Sequence, residues 1–385
     1  MMILDPRVED AIQRYCPMLE VDSPGRYRRL YWLLCLVDAL FAFMAFLCIL
    51  LPVSLGLQIG GVDIFNKEYF MIAGATAAVL AVQGSLNAAF ALTGRLHALA
   101  RVKMIVASGS FLVVVTALLL AGPTAYLLAS LAAGIGTVIV MLKLASREVG
   151  LARPVLNRIR DLLPEGWFKF TLQSSLATTL AAGGDNASVT LGGIGGGGEF
   201  VVALKISQAP ARFVMSIFSP VAAQIYPRAA KRSALGDTRG IRELCVRASR
   251  MAVPFAVGVI GLSFLALPFL IPLVYGSSSG SFTAAALLFV IGATLRGVVV
   301  WSKVLPLAIG RPRLRLATIS VESAIILVAV WSLSSVAPPR EAMLVLGLLS
   351  IITGLGLATF WWRFALGLGG TEERLRKSEP GNAER

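Results

Sequence analysis

Ten apolar runs, each about 20 residues long, recur between Leu30 and Phe364, with one long polar interruption near the middle of the chain. A soluble core could not bury them all, whereas a bilayer accepts one such run per α-helix. Lipid offers the backbone no hydrogen-bond partner, so each run must close its own ladder as a helix. The fold class is therefore all-α, a polytopic transmembrane helical bundle. We predict spans at 30–55, 69–93, 104–121, 124–144, 167–194, 200–223, 251–275, 282–309, 314–336 and 342–364. Composition agrees, with 57% hydrophobic residues, 15% charged residues and a mean hydropathy of +0.79.

The formal net charge of +14 raises nucleic acid as a partner, so the placement of the basic residues decides the matter. They sit in loops, with no zinc or helix-turn-helix pattern and no aromatic-interleaved basic strand, which sets nucleic acid aside. Of the 35 Lys and Arg residues, 29 fall in alternate loops that begin with the N-terminal segment, against only Lys67 and Arg340 in the others. Both termini are expected to be cytoplasmic. The stretch 1–29 is polar and carries five arginines in place of an apolar signal core, so no cleavable signal peptide is expected. Between spans 6 and 7, Ile241, Leu244 and Val246 alternate with Arg239, Arg242, Arg247 and Arg250. This reads as an amphipathic helix on anionic inner-leaflet lipids, or equally as a stop-transfer charge cluster.

Catalytic chemistry finds few residues to work with. The single histidine, His97, lies in a short loop, and there is no HExxH, no Cys/His cluster and no nucleophile elbow. Cys16, Cys35, Cys48 and Cys245 lack CxxC spacing. The reading is a non-enzyme with no cofactor and no metal. The run from Gly192 to Gly198 has no strand before it and no Lys after it, so it reads as a flexible outer turn and not as a phosphate loop. The other outer loops are short, at 56–68, 122–123, 276–281 and 337–341, and leave no room for a catalytic domain.

Four basic residues fall inside predicted spans, where a charge near the bilayer centre costs about 2.5–3.5 kcal/mol on insertion scales and turns toward a cavity or a partner. Lys205 and Arg212 are seven apart on span 6, and Arg296 and Lys303 are seven apart on span 8. Seven residues is nearly two turns, so each pair shares one helix face. Lys303 can pair with Glu322 and Lys205 with Asp185, which makes those two carboxylates structural charge partners. Arg212 and Arg296 have no evident carboxylate at their depth and are the residues expected to grip an anion. Helix breakers accompany them: Gly183-Gly184, Pro210, Pro220, Pro254, Pro268, Pro272 and Pro306.

An internal echo joins the two halves. Span 2 ends Ala91-Leu92-Thr93-Gly94-Arg95-Leu96 and span 8 ends Leu307-Ala308-Ile309-Gly310-Arg311-Pro312. The implied repeat is offset by six helices, so spans 5–10 form a whole half and spans 1–4 a half lacking two.

Several short motifs in the second half carry a family resemblance. Trp167-Phe168-Lys169-Phe170 opens a long helix with Asp185 toward its end, Ser219-Pro220 and Tyr226-Pro227 precede a basic segment, and Pro272-Leu273-Val274-Tyr275-Gly276 is followed by Leu307-Ala308-Ile309-Gly310-Arg311-Pro312. Together they resemble the polysaccharide-repeat flippases, the oligosaccharide-flippase branch of the MATE-like superfamily. The likeness covers 166–364, with 26–144 resembling the family's third to sixth helices.

The resemblance implies a two-lobed bundle with a central cationic cavity and alternating access for an undecaprenyl-diphosphate-linked oligosaccharide. Its setting would be the bacterial inner membrane, beside other polysaccharide-assembly proteins. The chain then divides into a cytoplasmic segment (1–29), a partial N-terminal lobe of four helices (30–150), a C-terminal lobe of six (151–366) and a cytoplasmic tail (367–385). The expected binding residues are Arg212, Arg296, Lys205 and Lys303. A MATE-like multidrug antiporter and a truncated, non-transporting remnant stay open as alternatives. A membrane glycosyltransferase is disfavoured by the short outer loops.

Overall fold

The computed structural model describes residues 8–22, 24–54, 67–150 and 163–368. Among these every regular element is helical. In chain order they are α1 (Val8–Asp22), α2 (Pro24–Ser54), α3 (Lys67–Ala81), α4 (Gln83–Leu92), α5 (Leu96–Val149), α6 (Trp167–Ala234) and α7 (Thr238–Tyr275). After a 3-10 segment at Ser277–Phe282 come α8 (Thr283–Val298), a second 3-10 turn at Val300–Lys303, and α9 (Leu305–Ala308). The last two helices are α10 (Pro312–Val336) and α11 (Pro339–Gly367).

Among the described residues eight helices are long and apolar enough to cross a membrane. Two of these, α5 and α6, are each broken once by a glycine, Gly122 at φ 79° and Gly197 at φ 69°. These are left-handed backbone conformations that a side chain would strain. Eight plus two gives the ten apolar segments read from the sequence. The expected turn at 192–198 is corrected accordingly: helix runs through the glycine run and departs from helical geometry only at Gly197. The outer loop at 56–68 and the tail at 367–385 lie largely outside the described residues.

The surface helix expected between spans 6 and 7 is likewise corrected. α6 continues to Ala234 and α7 begins at Thr238, so the basic stretch extends two spanning helices on either side of a tight turn. Asp237 caps α7 by accepting from Gly240 N at 2.7 Å. Arg232 donates to the Gly240 carbonyl across the turn. Tyr226, Ala229, Ile241 and Cys245 of the stretch are buried, Leu244 and Val246 are partly buried, and Leu235 is exposed at the turn.

The chain forms two compact units, residues 1–176 and 177–385. In the first, α5 packs on α3 and α4, while α1 packs on α2 and α4. α1 presents Val8, Ala11, Ile12 and Cys16 to the interior. Its charged residues are tied in as well: Asp10 accepts from Ser174 Oγ, and the Arg14 guanidinium lies 5.3 Å from the Phe170 ring centre. Tyr31 Oη donates to the Ser85 carbonyl at 3.4 Å, and Trp32 Nε1 donates to the Gly150 carbonyl at 2.9 Å.

In the second unit the most extensive packing joins α8 to α11. Small residues allow it, since a Cβ on Gly354 would stand 2.9 Å from the Gly292 carbonyl oxygen. Close approach of backbones is how helices associate in lipid, where burial of apolar surface supplies little drive. Phe200, Leu204, Phe289, Val330 and Met343 fill the space around this contact.

The sequence echo is matched by the backbone. Gly94 and Gly310 take φ of 72° and 76° at equivalent turns. Pro123 and Pro339 each follow the break between two spans. Asp22 ends α1 as Asp237 caps α7, and Val82 separates α3 from α4 where Val298 closes α8. These pairs are offset by 215 or 216 residues, so one register relates positions 8–150 to positions 223–366.

Candidate functional site

The intramembrane charges of the second unit come from three different helices and one break. α6 carries Asp185 and Arg212, α8 carries Arg296 in its last turn, and α10 carries Glu322. The predicted continuous span at 282–309 is corrected: α8 stops at Val298, the 3-10 turn intervenes, and α9 resumes at Leu305. Trp301, wholly buried, fixes the break by donating its indole N–H to Ser249 Oγ at 2.8 Å, and Ser249 donates in turn to the Val298 carbonyl at 2.8 Å. Arg296 and Lys303 therefore leave the chain on either side of a bend and not along one straight helix face.

Arg296 is the centre of the arrangement. Its Nη2 donates to Glu322 Oε1 at 3.0 Å and to Thr353 Oγ1 at 2.7 Å, and its Nη1 reaches Ser350 Oγ at 3.5 Å. Its Nε is buried and has no partner among the described residues. The expectation that Arg296 lacks a counter-charge is thus overturned. Depth along the sequence paired Glu322 with Lys303, but the break ends α8 at Arg296 and brings that side chain to Glu322. Lys303 still feels the attraction of Glu322 and Asp185, opposed by Arg315 and Arg296.

Two adjoining cavities open beside this network. One, about 320 Å³, is lined by Arg212, Gln208 and Ser350; the other, about 380 Å³, by Arg315, Glu322 and Thr318. Asp185, Arg296 and Lys303 stand in both walls. Arg212 is exposed to its cavity and steadied by Gln208 Oε1 at 3.1 Å, one turn earlier on the same helix. Counting charged walls, Arg212, Arg296, Lys303 and Arg315 make four positive against Asp185 and Glu322, two negative, a balance of +2.

Three of the four predicted binding residues, Arg212, Arg296 and Lys303, thus meet around one space. Lys205 does not. It is exposed, lines neither cavity, and among the described residues makes no ion pair with Asp185. Two helical turns place it roughly 10 Å from Arg212 along α6. Sequence reasoning missed Arg315, which it counted as a loop residue beside Arg311 and Arg313. The helix already begins at Pro312, so Arg315 lies in its first turn, with Nη2 3.4 Å from Thr178 Oγ1. The hydroxyls of Ser350 and Thr353 were also missed, because Ser and Thr in an apolar span look like filler. Among the described residues no three His, Cys, Asp or Glu side chains gather as metal ligands.

No protein-family model and no curated protein matches the chain. Solved structures do. An outward-facing multidrug resistance MATE family transporter of the MOP superfamily aligns at a TM-score of 0.77 with 11% identity, over 95% of this chain and 84% of the other. A mutant of the Vibrio cholerae MATE transporter VcmN aligns at 0.76 with 14% identity, over 94% and 84%. A MOP superfamily transporter from Pyrococcus furiosus, described by the reverse polarity of its binding pocket and a different function inferred from it, aligns at 0.75 with 11% identity, over 96% and 85%. At such low identity these likenesses establish architecture alone: the chain is built on the all-helical fold shared by MATE and other MOP superfamily transporters.

Proposed function

We propose that this protein moves an anionic, lipid-diphosphate-linked oligosaccharide across a bacterial inner membrane by alternating access. The observation that carries the reading is the cavity wall with its balance of +2. A diphosphate diester brings two negative charges, and Arg presents the planar fork that grips phosphate oxygens in pairs. The guanidinium of Arg212, exposed to its cavity and steadied by Gln208, is a donor ready for that ligand, and Arg296 stands in the walls of both cavities. Lys303 and Arg315 supply the surrounding positive field. The basic ends of α6 and α7 would lie at the cytoplasmic face against anionic lipid headgroups.

The fold's solved representatives favour a second reading, a multidrug antiporter. A cationic drug needs a free carboxylate, and here Glu322 is engaged by Arg296, which leaves Asp185 among four positive neighbours. The Pyrococcus furiosus protein, with its pocket of reverse polarity, supports the idea that this scaffold accepts cargo of either sign.

The test is reconstitution in liposomes with an undecaprenyl-diphosphate oligosaccharide and, separately, with a cationic dye. Wild-type protein should expose the glycan lipid on the far leaflet and leave the dye where it is. Arg296→Lys should slow flipping about tenfold, the equivalent of 1.4 kcal/mol lost with the fork. An Arg212→Ala, Arg296→Ala variant should abolish it while still yielding folded protein. Flipping at the wild-type rate by that double variant removes the headgroup role. Movement of the dye but not the glycan lipid establishes the antiporter reading, and movement of neither leaves a non-transporting remnant.

A further inference from the structure

The repeat register carries the charged cavity of the second unit onto a second cavity in the first. This one has a volume of about 500 Å³, within the roughly 300–1,000 Å³ of small-molecule sites. At the wall positions that the register covers its charge is stripped, while the α6 side of the second unit's cavities, with Asp185 and Arg212, lies outside the register. Leu80 stands where the register puts Arg296, Val106 where it puts Glu322, and Thr137 where it puts Thr353. Among the described residues the one charged group in the wall is Lys103, within electrostatic reach of Glu9.

Three of the four hydroxyls in the wall, all but that of Ser110, have a definite sense. Thr76 Oγ1 donates to the Ile72 carbonyl at 2.8 Å, Ser130 Oγ to the Tyr126 carbonyl at 2.8 Å, and Thr137 Oγ1 to the Ala133 carbonyl at 2.7 Å. Each of these three hydroxyls has therefore given its one proton to its own helix and keeps only acceptor capacity for a ligand. A ligand for such a wall must donate hydrogen bonds at several points. Gln83 and Lys103 add donors, and the exposed Phe111 ring adds an apolar face. An acyl chain would offer the Gln83 amide and the acceptor hydroxyls no partner, which is costly in an apolar setting. An anion would meet Lys103 alone, already opposed by Glu9.

We propose that this cavity of the first unit binds a neutral, hydroxyl-rich group of the glycosyl type. That the natural source is the glycan of the carried lipid rests on the function proposed above; the preference for a neutral polyol rests on the cavity wall alone.

The experiment uses the full chain in phosphatidylcholine nanodiscs, free of glycosidic detergent, with a photoactivatable diazirine hexoside as one probe and a diazirine phospholipid as the other. The hexoside should label wall peptides from the 76–83, 103–114 and 130–141 stretches, and unlabelled methyl hexoside should compete the label away. Gln83→Leu should lower labelling about tenfold, while Arg239→Ala, an exposed residue at the start of α7, should leave it unchanged. Competition needs only the wild-type protein, so poor folding of the Gln83 variant does not blunt the test. Hexoside labelling that unlabelled hexoside fails to displace, or labelling of these peptides by the phospholipid alone, overturns the proposal. Because no transport is measured, loss of the flippase reading and loss of the sugar site are separate outcomes.

Discussion

At the scale of single residues, the pairing of Arg296 with Glu322 decides how much of the cavity's charge is structural. Their side chains are 22% and 26% exposed, so the pair is only partly solvated and its loss is felt more than that of a surface bridge. Glu322→Gln removes the carboxylate, leaves Arg296 held by Thr353 and Ser350, and raises the wall's balance from +2 to +3. The expected cost is on the order of 1–2 kcal/mol of stability, between surface and fully buried values. It should appear as lower folded yield and a lower melting temperature in a nonionic detergent. Unchanged yield with selective loss of flipping would instead make Glu322 part of the transport machinery. Thr353→Val probes the same fork more gently, deleting its 2.7 Å hydrogen bond for about 1 kcal/mol.

At the scale of elements, hydropathy and charge made the ten apolar segments, the glycine break at Gly122-Pro123 and the charges on spans 6 and 8 legible. Where the second unit bends was not legible. The window 282–309 reads as one apolar span interrupted by Arg296 and Lys303, and its one proline, Pro306, lies beyond the turn, so no proline marks the break at Val299–Val304. The break is held by tertiary hydrogen bonds from Trp301 and Ser249, 52 residues apart in sequence, which no local pattern records. For the same reason the i,i+7 argument joined Arg296 correctly to the cavity but gave the wrong partner to Glu322. Similarly, the basic turn between α6 and α7 was ambiguous because Arg-rich amphipathic sequence suits both a leaflet surface and the ends of two long helices. The lock makes a quantitative prediction. Ser249→Ala leaves a fully buried indole N–H without an acceptor and should destabilise by about 1–3 kcal/mol. Adding Trp301→Phe removes that orphaned donor, so the double variant should lose less than the sum of the singles, a coupling readable in a thermal-unfolding cycle. Strict additivity would mean that the two side chains stabilise separate features and that the break is held by something else.

At the scale of the whole molecule, the charge count and the repeat make independent statements about topology that must agree. The register pairs Gly94 with Gly310, and six apolar segments lie between those two glycines. If each segment crosses the membrane, an even number of crossings returns the chain to the side it left, and both glycine turns are expected on the same side. The basic residues concur: Arg95, Arg101 and Lys103 follow one turn, and Arg311, Arg313 and Arg315 follow the other, the excess expected on the cytoplasmic side. Gly280, in the 3-10 segment before α8, is one crossing away and should lie outside. A periplasmic-active reporter fused at Gly280 should therefore be active, and one fused at Thr371, beyond the described residues, inactive. A sharper version replaces Arg95 and Arg311 singly with Cys in a cysteine-free background and adds a membrane-impermeant maleimide. Both positions should react in inside-out vesicles and stay unlabelled in right-side-out ones. Labelling of the two from opposite sides would mean an odd number of crossings between the equivalent turns, and neither the parallel repeat nor the matching of the two cavities could then stand.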